Sequence, residues 1–326
     1  MTTEPPLSGR GLPLRALLAD YLGMVLVLAG LVAYFAFSTE HFFELTMFHS
    51  IANRIPDAVI IAVGMTYVLI ISGIDLSVGS VLALSAAVLG VGMERGGWPL
   101  SVAIPACLAV GLICGLANGF LAVAWGLPSF IVTLGMMEIA RGGAYMVSSS
   151  QTQYIGGRIG VIADNPLFGR SLPFLIAVAV VLIGQFVLSR TVLGRYMIAI
   201  GTNEEAVRLS GIDPRPIKLA VFSLCGFLSG LAAVIQTSRF ESADPNAGSG
   251  AELQAIAAVV IGGTSLMGGR GSVINSFFGV VIIAVLGAGL AQMDVKEPTK
   301  RLITGCVIVA AVVLDHYRHR LWESDR

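Results

Sequence analysis

At residues 190–218 the chain reads RTVLGRYMIAIGTNEEAVRLSGIDPRPIK, a charged island between two long apolar stretches. Within this island, Asn203 can cap a short helix whose first turn holds Glu204 and Glu205, where the helix dipole favours acidic side chains. Gly211 suits the position after the helix, and the prolines that follow prevent the helix from continuing. These residues predict a short amphipathic helix between membrane spans, on which another protein can push. The alternative is an ordinary solvated loop helix.

The composition excludes a water-soluble fold. Of the 326 residues, 56% are hydrophobic and only 12% are charged, against roughly 25% charged in a typical globular protein. The formal net charge is +0 and no basic run occurs, so nucleic-acid binding has no support. The four cysteines all lie inside apolar runs, which indicates packing residues rather than disulfide or metal partners.

Apolar runs bounded by glycine, proline or charged residues predict an all-α, polytopic membrane protein with about ten transmembrane helices. The predicted spans are 18–37, 57–72, 78–93, 101–124, 128–147, 172–189, 217–236, 253–267, 273–291 and 301–315. Several of them are shorter than a straight crossing requires, which is typical of short or broken helices around a buried path.

Basic residues near the span ends are slightly more frequent on one side, and this asymmetry favours both termini in the cytoplasm. The predicted organisation follows from it. A cytoplasmic segment covers 1–17, one transmembrane domain covers 18–315 and includes a cytoplasmic loop at 190–216, and a cytoplasmic tail covers 316–326. We expect a multi-pass membrane protein.

The sequence GIDLSVGS at 73–80 joins two predicted spans almost without a polar linker. An ionisable group such as Asp75 is costly in a membrane unless it caps a helix or faces water. Either Asp75 or Ser77 caps the helix that begins near Val78, or Asp75 contacts a transported solute. A similar sequence, GTSLMGG at 263–269, indicates an internal repeat of the kind found in transporters.

A second dense pattern is GLPSFIVTLG at 126–135, which opens another predicted span. Ser129 and Thr133 lie one turn apart on the same helical face. Further along the span, Glu138 and Arg141 are i,i+3 neighbours, so they are predicted to neutralise each other as an intramembrane charge pair. The alternative is that these two charges form a transport site.

Together these motifs resemble the permease subunit of ribose-type monosaccharide ABC importers. The resemblance extends over about residues 50–315 and is carried, in order, by GIDLSVGS at 73–80, NG at 118–119, LPSFIVTLG at 127–135, RG at 141–142, GTNEEA at 201–206, IGGTS at 261–265 and GGRGS at 268–272. The pattern Glu205-Ala206-Val207 before Gly211 is similar to the loop by which such permeases dock on their ATPase subunits, although Val207 replaces the commoner alanine.

The resemblance implies a location in the bacterial plasma membrane, a homodimer and a pair of cytoplasmic ATP-binding subunits. It also implies a periplasmic or extracellular sugar-binding protein that docks on the loops at 148–171 and 237–252. It implies that the ATPase-coupling helix includes Asn203, Glu204, Glu205, Ala206, Arg208 and Gly211. A neutral, hydroxyl-rich sugar needs scattered polar groups rather than charges along its path. The candidates for this translocation path are Asp75, Ser77, Asn118, Ser129, Thr133 and Thr264, and the alternative for each is a hydrogen bond between helices.

No phosphate-binding loop, nucleophile motif or metal-ligand pattern occurs in the sequence. We therefore expect no catalytic residue, no metal and no cofactor on this chain, with ATP and magnesium bound by the partner. Two alternatives remain open. One is a permease for a nucleoside, an autoinducer-like sugar or a branched-chain amino acid, and the other is an ion-coupled secondary transporter that uses Asp75, Glu138 or Arg141.

Overall fold

The computed structural model describes residues 14–39, 42–164, 166–167, 170–296, 298–307 and 309–310. Its helices are α1 (Leu14–Ser38), α2 (Leu45–Arg54), α3 (Pro56–Ile70), α4 (Val78–Glu94), α5 (Leu100–Ala124), α6 (Ser129–Ser148), α7 (Gly157–Asp164), α8 (Leu172–Arg190), α9 (Val192–Thr202), α10 (Glu204–Leu209), α11 (Arg215–Phe240), α12 (Ala251–Ile261) and α13 (Val273–Gln292). Four two-residue strands are β1 (Gln153–Tyr154), β2 (Pro166–Leu167), β3 (Arg170–Ser171) and β4 (Ser242–Ala243).

Five helices in the described part of the chain, α5, α6, α8, α11 and α13, are long and apolar enough to cross a membrane. The bent pair α2 and α3, with an angle of 48° between them, meets the same criterion when taken together. Shorter apolar helices are residues 23–38 of α1, and α4, α9 and α12. The protein is therefore a helical, multi-pass membrane protein with short and broken spans, although these lengths do not establish the predicted count of ten.

Eight of the first nine predicted spans follow a helix closely. The eighth, 253–267, is helical only over 253–261, and the tenth, at 301–315, is helical over 301–307. Three helices, α2, α7 and α9, were not predicted. The predicted segment 1–17 enters the described residues only at Leu14, where α1 begins, and the predicted tail at 316–326 lies outside them.

The centre of the fold is formed by α3, α4 and α11, most of whose residues are buried. Every residue of α3 except Ala58 is buried, as expected of a helix that is apolar on all sides. Helices α5 and α11 cross in backbone contact, because a Cβ atom on Gly111 would lie 2.3 Å from the carbonyl oxygen of Gly226. Small residues allow this close approach between helices in lipid.

Two faces of the molecule are separated by the length of α11. Its first residue, Arg215, follows α10, and its last, Phe240, precedes β4. The helix has 26 residues, so its two ends are about 39 Å apart. At the far end, β4 pairs with β1 in antiparallel register, Gln153 opposite Ala243. We call these two ends the α10 face and the β1–β4 face.

Candidate functional site

A break in the helical structure at residues 71–77, between α3 and α4, gathers most of the predicted path residues. Ser129 and Thr133, one turn apart on α6, both bind its backbone. The Ile74 N–H donates to Ser129 Oγ at 3.0 Å, and the Leu76 N–H donates to Thr133 Oγ1 at 3.1 Å. The Thr133 hydroxyl in turn donates to the Ile74 carbonyl oxygen at 3.1 Å. The two α6 hydroxyls thus satisfy backbone groups that no helix satisfies here.

Asp75 points into the protein from the same break. Its Oδ1 accepts from the Ser77 N–H at 2.9 Å and from the Ser77 hydroxyl at 2.6 Å. The Asn118 side-chain amide of α5 donates to Ser77 Oγ at 2.9 Å, and the Cys225 thiol of α11 lies beside the Asp75 carboxyl group. A chain of polar contacts therefore links α5 to the break and ends on Asp75.

The contacts of Asp75 and Ser77 show that neither predicted side chain caps α4. Ser77 occupies the N-cap position of α4, but its side chain accepts no hydrogen bond from the first turn. Asp75 instead bonds to Ser77 itself, which fixes the turn that leads into α4. Asp75 therefore stabilises the start of α4 indirectly, because it fixes the conformation of the residues before the helix.

Burial limits what these residues can contact in this conformation. Asp75, Ser77 and Asn118 are each 1% exposed, and Thr133 is 0% exposed. The contacts assign them a structural role, holding irregular backbone between helices. Their place on a translocation path stays a prediction. Ser129 is only half-buried.

Thr264 lies apart from this cluster, in a second break at residues 262–272 between α12 and α13. It is fully buried, and its hydroxyl oxygen has no hydrogen-bond partner among the described residues. A Cβ atom on Gly271 would lie 2.8 Å from the Thr264 methyl group. Thr264 therefore packs within the second break rather than beside Asp75.

The two breaks meet each other and the end of α9. The Gly269 N–H donates to the Ile70 carbonyl oxygen at 2.8 Å. The Ser72 hydroxyl lies between the carbonyl oxygens of Met267, at 2.9 Å, and Gly201, at 3.2 Å. The chain segments 70–72, 201–202 and 267–269 thus form one junction, which we call the glycine junction. It connects α9, just before α10, to both breaks.

Gly201 makes this contact possible. A Cβ atom there would lie 1.8 Å from the Ile70 carbonyl oxygen and 2.4 Å from the Gly269 nitrogen, far inside van der Waals contact. The backbone of α9 therefore touches the end of α3 directly. The sequence motif containing Gly201 resembles permeases, but nothing in the motif predicts these contacts.

The predicted ion pair between Glu138 and Arg141 is wrong, because Arg141 has other partners. The Arg141 guanidinium donates instead to the carbonyl oxygens of Pro245 at 2.7 Å and Ala247 at 2.9 Å. Arg141 is half-buried and reaches toward the segment before α12, whereas Glu138 is exposed on α6. Backbone carbonyl groups with free lone pairs are strong acceptors for a guanidinium. Arg141 therefore binds the loop before α12 rather than Glu138 on its own helix.

The short helix α10 has the predicted cap residues. The Asn203 side chain accepts from the Ala206 N–H at 2.9 Å, and Gly211 follows the helix with a φ of 87°, which favours glycine. Glu205 pairs with Arg208 within the helix, and Glu204 pairs with Lys218 of α11 at 2.8 Å. The helix begins at Glu204, directly after the Asn203 cap, and ends at Leu209.

Only Val207 of α10 is buried. The remaining residues of the helix are exposed, and Leu209 has 80% of its surface accessible. The helix therefore rests on the protein through one apolar side chain and presents charged groups and one large apolar group outward.

The family model described as branched-chain amino acid transport system / permease component matches residues 47–312. The chain belongs to this family of permeases. It is accordingly a transport subunit and not an enzyme.

This permease has sugar permeases among its relatives. It is 38% identical to the ribose import permease protein RbsC of Escherichia coli (strain K12), over 97% of this chain and 99% of that protein. It is 36% identical to the D-allose transport system permease protein AlsC of the same organism, over 92% and 93% of the two chains. It is 32% identical to the fructose import permease protein FrcC of Rhizobium meliloti, over 90% and 84%. No solved structure matches the chain.

The loops at 148–171 and 237–252, predicted to dock a binding protein, carry arginines that are bound within the chain. Arg158 donates to the carbonyl oxygens of Met93 at 3.0 Å and Trp98 at 3.2 Å. Arg239 pairs with Asp57 at 3.3 Å. The side chain of Arg170 lies outside the described part of the structure. The two arginines with described side chains therefore hold loops to helix ends, a role that their positions in the sequence did not reveal.

Proposed function

We propose that this permease forms the membrane path of an ATP-driven importer for a monosaccharide of the ribose, xylose, allose or fructose kind. The observation that carries the proposal is α10, an exposed capped helix that joins the glycine junction through α9. The relatives named above support the sugar class, since ribose, allose and fructose permeases match this chain over at least 84% of their lengths.

In this proposal α10 is the coupling helix that receives the movement of a cytoplasmic ATP-binding subunit. Its exposed Leu209 provides an apolar anchor for a groove on that subunit, and Glu205 and Arg208 provide polar contacts at the rim. Val207, buried against the protein, transmits the displacement inward. The α10 face is therefore cytoplasmic, and both chain termini lie on that side.

The importer contains two copies of this chain, with the path between them, and a sugar-binding protein docks on the β1–β4 face. The antiparallel pair of β1 and β4 joins the two loops at 148–171 and 237–252, so a docking partner meets one connected platform. A closing movement of the ATP-binding subunits at α10 would then open the path.

Uptake in the native host tests this function. A strain lacking the gene, with and without a plasmid copy, is given radiolabelled ribose, xylose, allose, fructose or leucine in separate assays. We expect at least one of the sugars to accumulate only in the complemented strain, and its uptake to stop when cellular ATP is depleted. Accumulation of leucine alone, or sugar uptake that persists without ATP, would overturn the proposal.

The sidedness of α10 is tested with Leu209→Cys in a Cys306→Ser background, because the other three cysteines are buried. A membrane-impermeant thiol reagent should label this cysteine in inside-out vesicles and not in right-side-out vesicles. Labelling from the outside would exclude a coupling role. In uptake assays Leu209→Glu should abolish transport, whereas the conservative Leu209→Met should retain it.

A further inference from the structure

A third irregular segment, residues 244–250, runs along α4 between β4 and α12. Just before the segment, Ala243 of β4 packs on Gly90, since a Cβ on that glycine would lie 2.6 Å from the Ala243 Cβ. Near the end of the segment, Gly248 packs on Gly79, where an added Cβ would lie 2.2 Å from the Gly248 carbonyl oxygen. The two glycines are eleven residues apart on α4, which corresponds to about 16 Å. The segment therefore descends from the β1–β4 face deep into the span region.

This descending segment is partly exposed, unlike the break that holds Asp75. Asp244, Asn246 and Ser249 are exposed, whereas Pro245 is buried, and α12, which follows directly, exposes Gln254 in its first turn. Polar side chains at membrane depth do not face lipid, because their polar groups would lack hydrogen-bond partners there. The exposed polar side chains at this depth therefore require water or another protein surface beside them.

Helix α6 continues the same polar surface. Glu138 is the tenth of its 20 residues, so the carboxylate is attached about 14 Å from either helix end, and it is exposed. A charged group in the middle of a span is costly in lipid and marks a water-filled route or a polar partner. Gly135 and Gly142, about one turn before and after it, have open space where a Cβ would stand.

Two contacts join α6 to the descending segment. The Tyr145 hydroxyl donates to Asn246 Oδ1 at 2.8 Å, and Arg141 binds the Pro245 and Ala247 carbonyl oxygens. The Ser249 hydroxyl donates to the Asn246 carbonyl oxygen at 2.8 Å, which tightens the turn before α12. We define the polar strip as Glu138, Tyr145, Asn246, Ser249 and Gln254.

We infer that the polar strip lines the aqueous path of the transported solute. It offers amide, hydroxyl and carboxylate groups in sequence, which can exchange hydrogen bonds with a neutral polyhydroxylated solute. The glycines on α6 leave open space beside Glu138. The identity of the solute rests on the proposed function, whereas the location of the path rests on the exposure and depth of the strip alone. Asp75 and its buried partners Ser77 and Asn118 then support the wall of this path on the side away from the solute.

Thiol accessibility tests the location of the path. Single cysteines replace Glu138, Asn246 or Gln254 in the Cys306→Ser background, and a charged, membrane-impermeant methanethiosulfonate is applied to the complete transporter in membranes. The matched control is Ile139→Cys, since Ile139 is the next residue on α6 and is 68% exposed on an apolar surface. Because thiolates form in water and not in lipid, we expect each strip cysteine to react at least about tenfold faster than the control.

Equal reaction rates at positions 138 and 139, or unreactive cysteines at all three strip positions, would overturn the inference. Unreactive strip cysteines that cross-link two copies of the chain would show that the strip is a subunit interface, which also contradicts it. If the strip cysteines react while every tested sugar fails to accumulate, the proposed sugar function fails and the path stands.

A size test uses the open glycines. Gly142→Leu should narrow the path and lower the uptake rate at least about tenfold with normal membrane insertion. Gly287→Leu is the matched control, because Gly287 of α13 also has open space at its Cβ position and lies outside the strip. Unchanged uptake in Gly142→Leu would count against the path, as would an equal loss in both variants.

Discussion

The backbone N–H of Gly269 donates a 2.8 Å hydrogen bond to the carbonyl oxygen of Ile70, although the two residues are far apart in the chain. Ile70 is the last residue of α3, and Gly269 lies in the second break. The bond therefore joins the end of α3 to the backbone of the second break. The adjacent Gly201 brings the segment before α10 to the same point, so the permease has a direct backbone connection between its exposed helix and its broken spans.

Gly201→Ala should disrupt this connection. The new methyl group would lie 1.8 Å from the Ile70 carbonyl oxygen, so α9 must move away from α3, at a cost of about 1–3 kcal/mol for overpacking. We expect lower thermal stability in detergent and loss of uptake. The control Gly287→Ala places its methyl group in open space and should keep both. Normal uptake by Gly201→Ala would rule out a tight junction in the working protein.

Thr133→Val should weaken the first break. Valine has the shape of threonine but cannot accept from the Leu76 N–H or donate to the Ile74 carbonyl oxygen. Leaving buried backbone groups without partners costs about 1–3 kcal/mol, which should appear as a lower unfolding temperature. Ser189→Ala removes only a local bond from an exposed hydroxyl within α8, so its unfolding temperature should stay near that of the wild type. Equal stabilities of the two variants would contradict the assigned role of Thr133.

Asn203→Ala should uncouple α10. The side-chain cap contributes about 1 kcal/mol to a helix, which is a large share for a helix of six residues. We expect uptake to fall strongly while the global unfolding temperature changes little, because α10 is exposed. Asn203→Asp keeps a capping oxygen and should restore most of the uptake. A parallel loss in both variants would mean that the cap is not the cause.

A double-mutant cycle tests the separation of Glu138 from Arg141. Because the arginine binds the Pro245 and Ala247 carbonyl oxygens, Arg141→Gln should lower stability and Glu138→Gln should not. The coupling free energy between the two changes should lie below about 0.5 kcal/mol. The measurement is thermal or denaturant unfolding of the four proteins. A larger stabilising coupling would show that Glu138 and Arg141 form the ion pair that the sequence pattern predicts.

Local rules predicted the parts of this fold that depend on neighbours in the sequence. The Asn203 cap, the position of Gly211 and the shared face of Ser129 and Thr133 follow from helical geometry, and the structure confirms them. Apolar runs likewise located the spans. The predicted pair Glu138–Arg141 is wrong because an i,i+3 rule considers only one helix, whereas the acceptors of Arg141 lie 104 and 106 residues away.

Long-range contacts determine most of what the sequence does not predict. The sequences at 73–79 and 263–269 are similar, yet nothing in them indicates that the two breaks touch through Ile70 and Gly269. The charged residues around α9 predict a loop there rather than a helix. The pairing of β1 with β4 covers two residues in each strand, too short to give a strand pattern. These contacts depend on how helices pack, which a single sequence does not state.

Helix α11 is fastened at both ends, to α10 by the Lys218–Glu204 pair and to the start of α3 by the Arg239–Asp57 pair. It is also the most buried of the long apolar helices in the described chain. At its far end it leads within two residues into β4. In the proposed importer, a displacement of α10 would therefore pass along one rigid helix to the β1–β4 face, without any segment having to unfold.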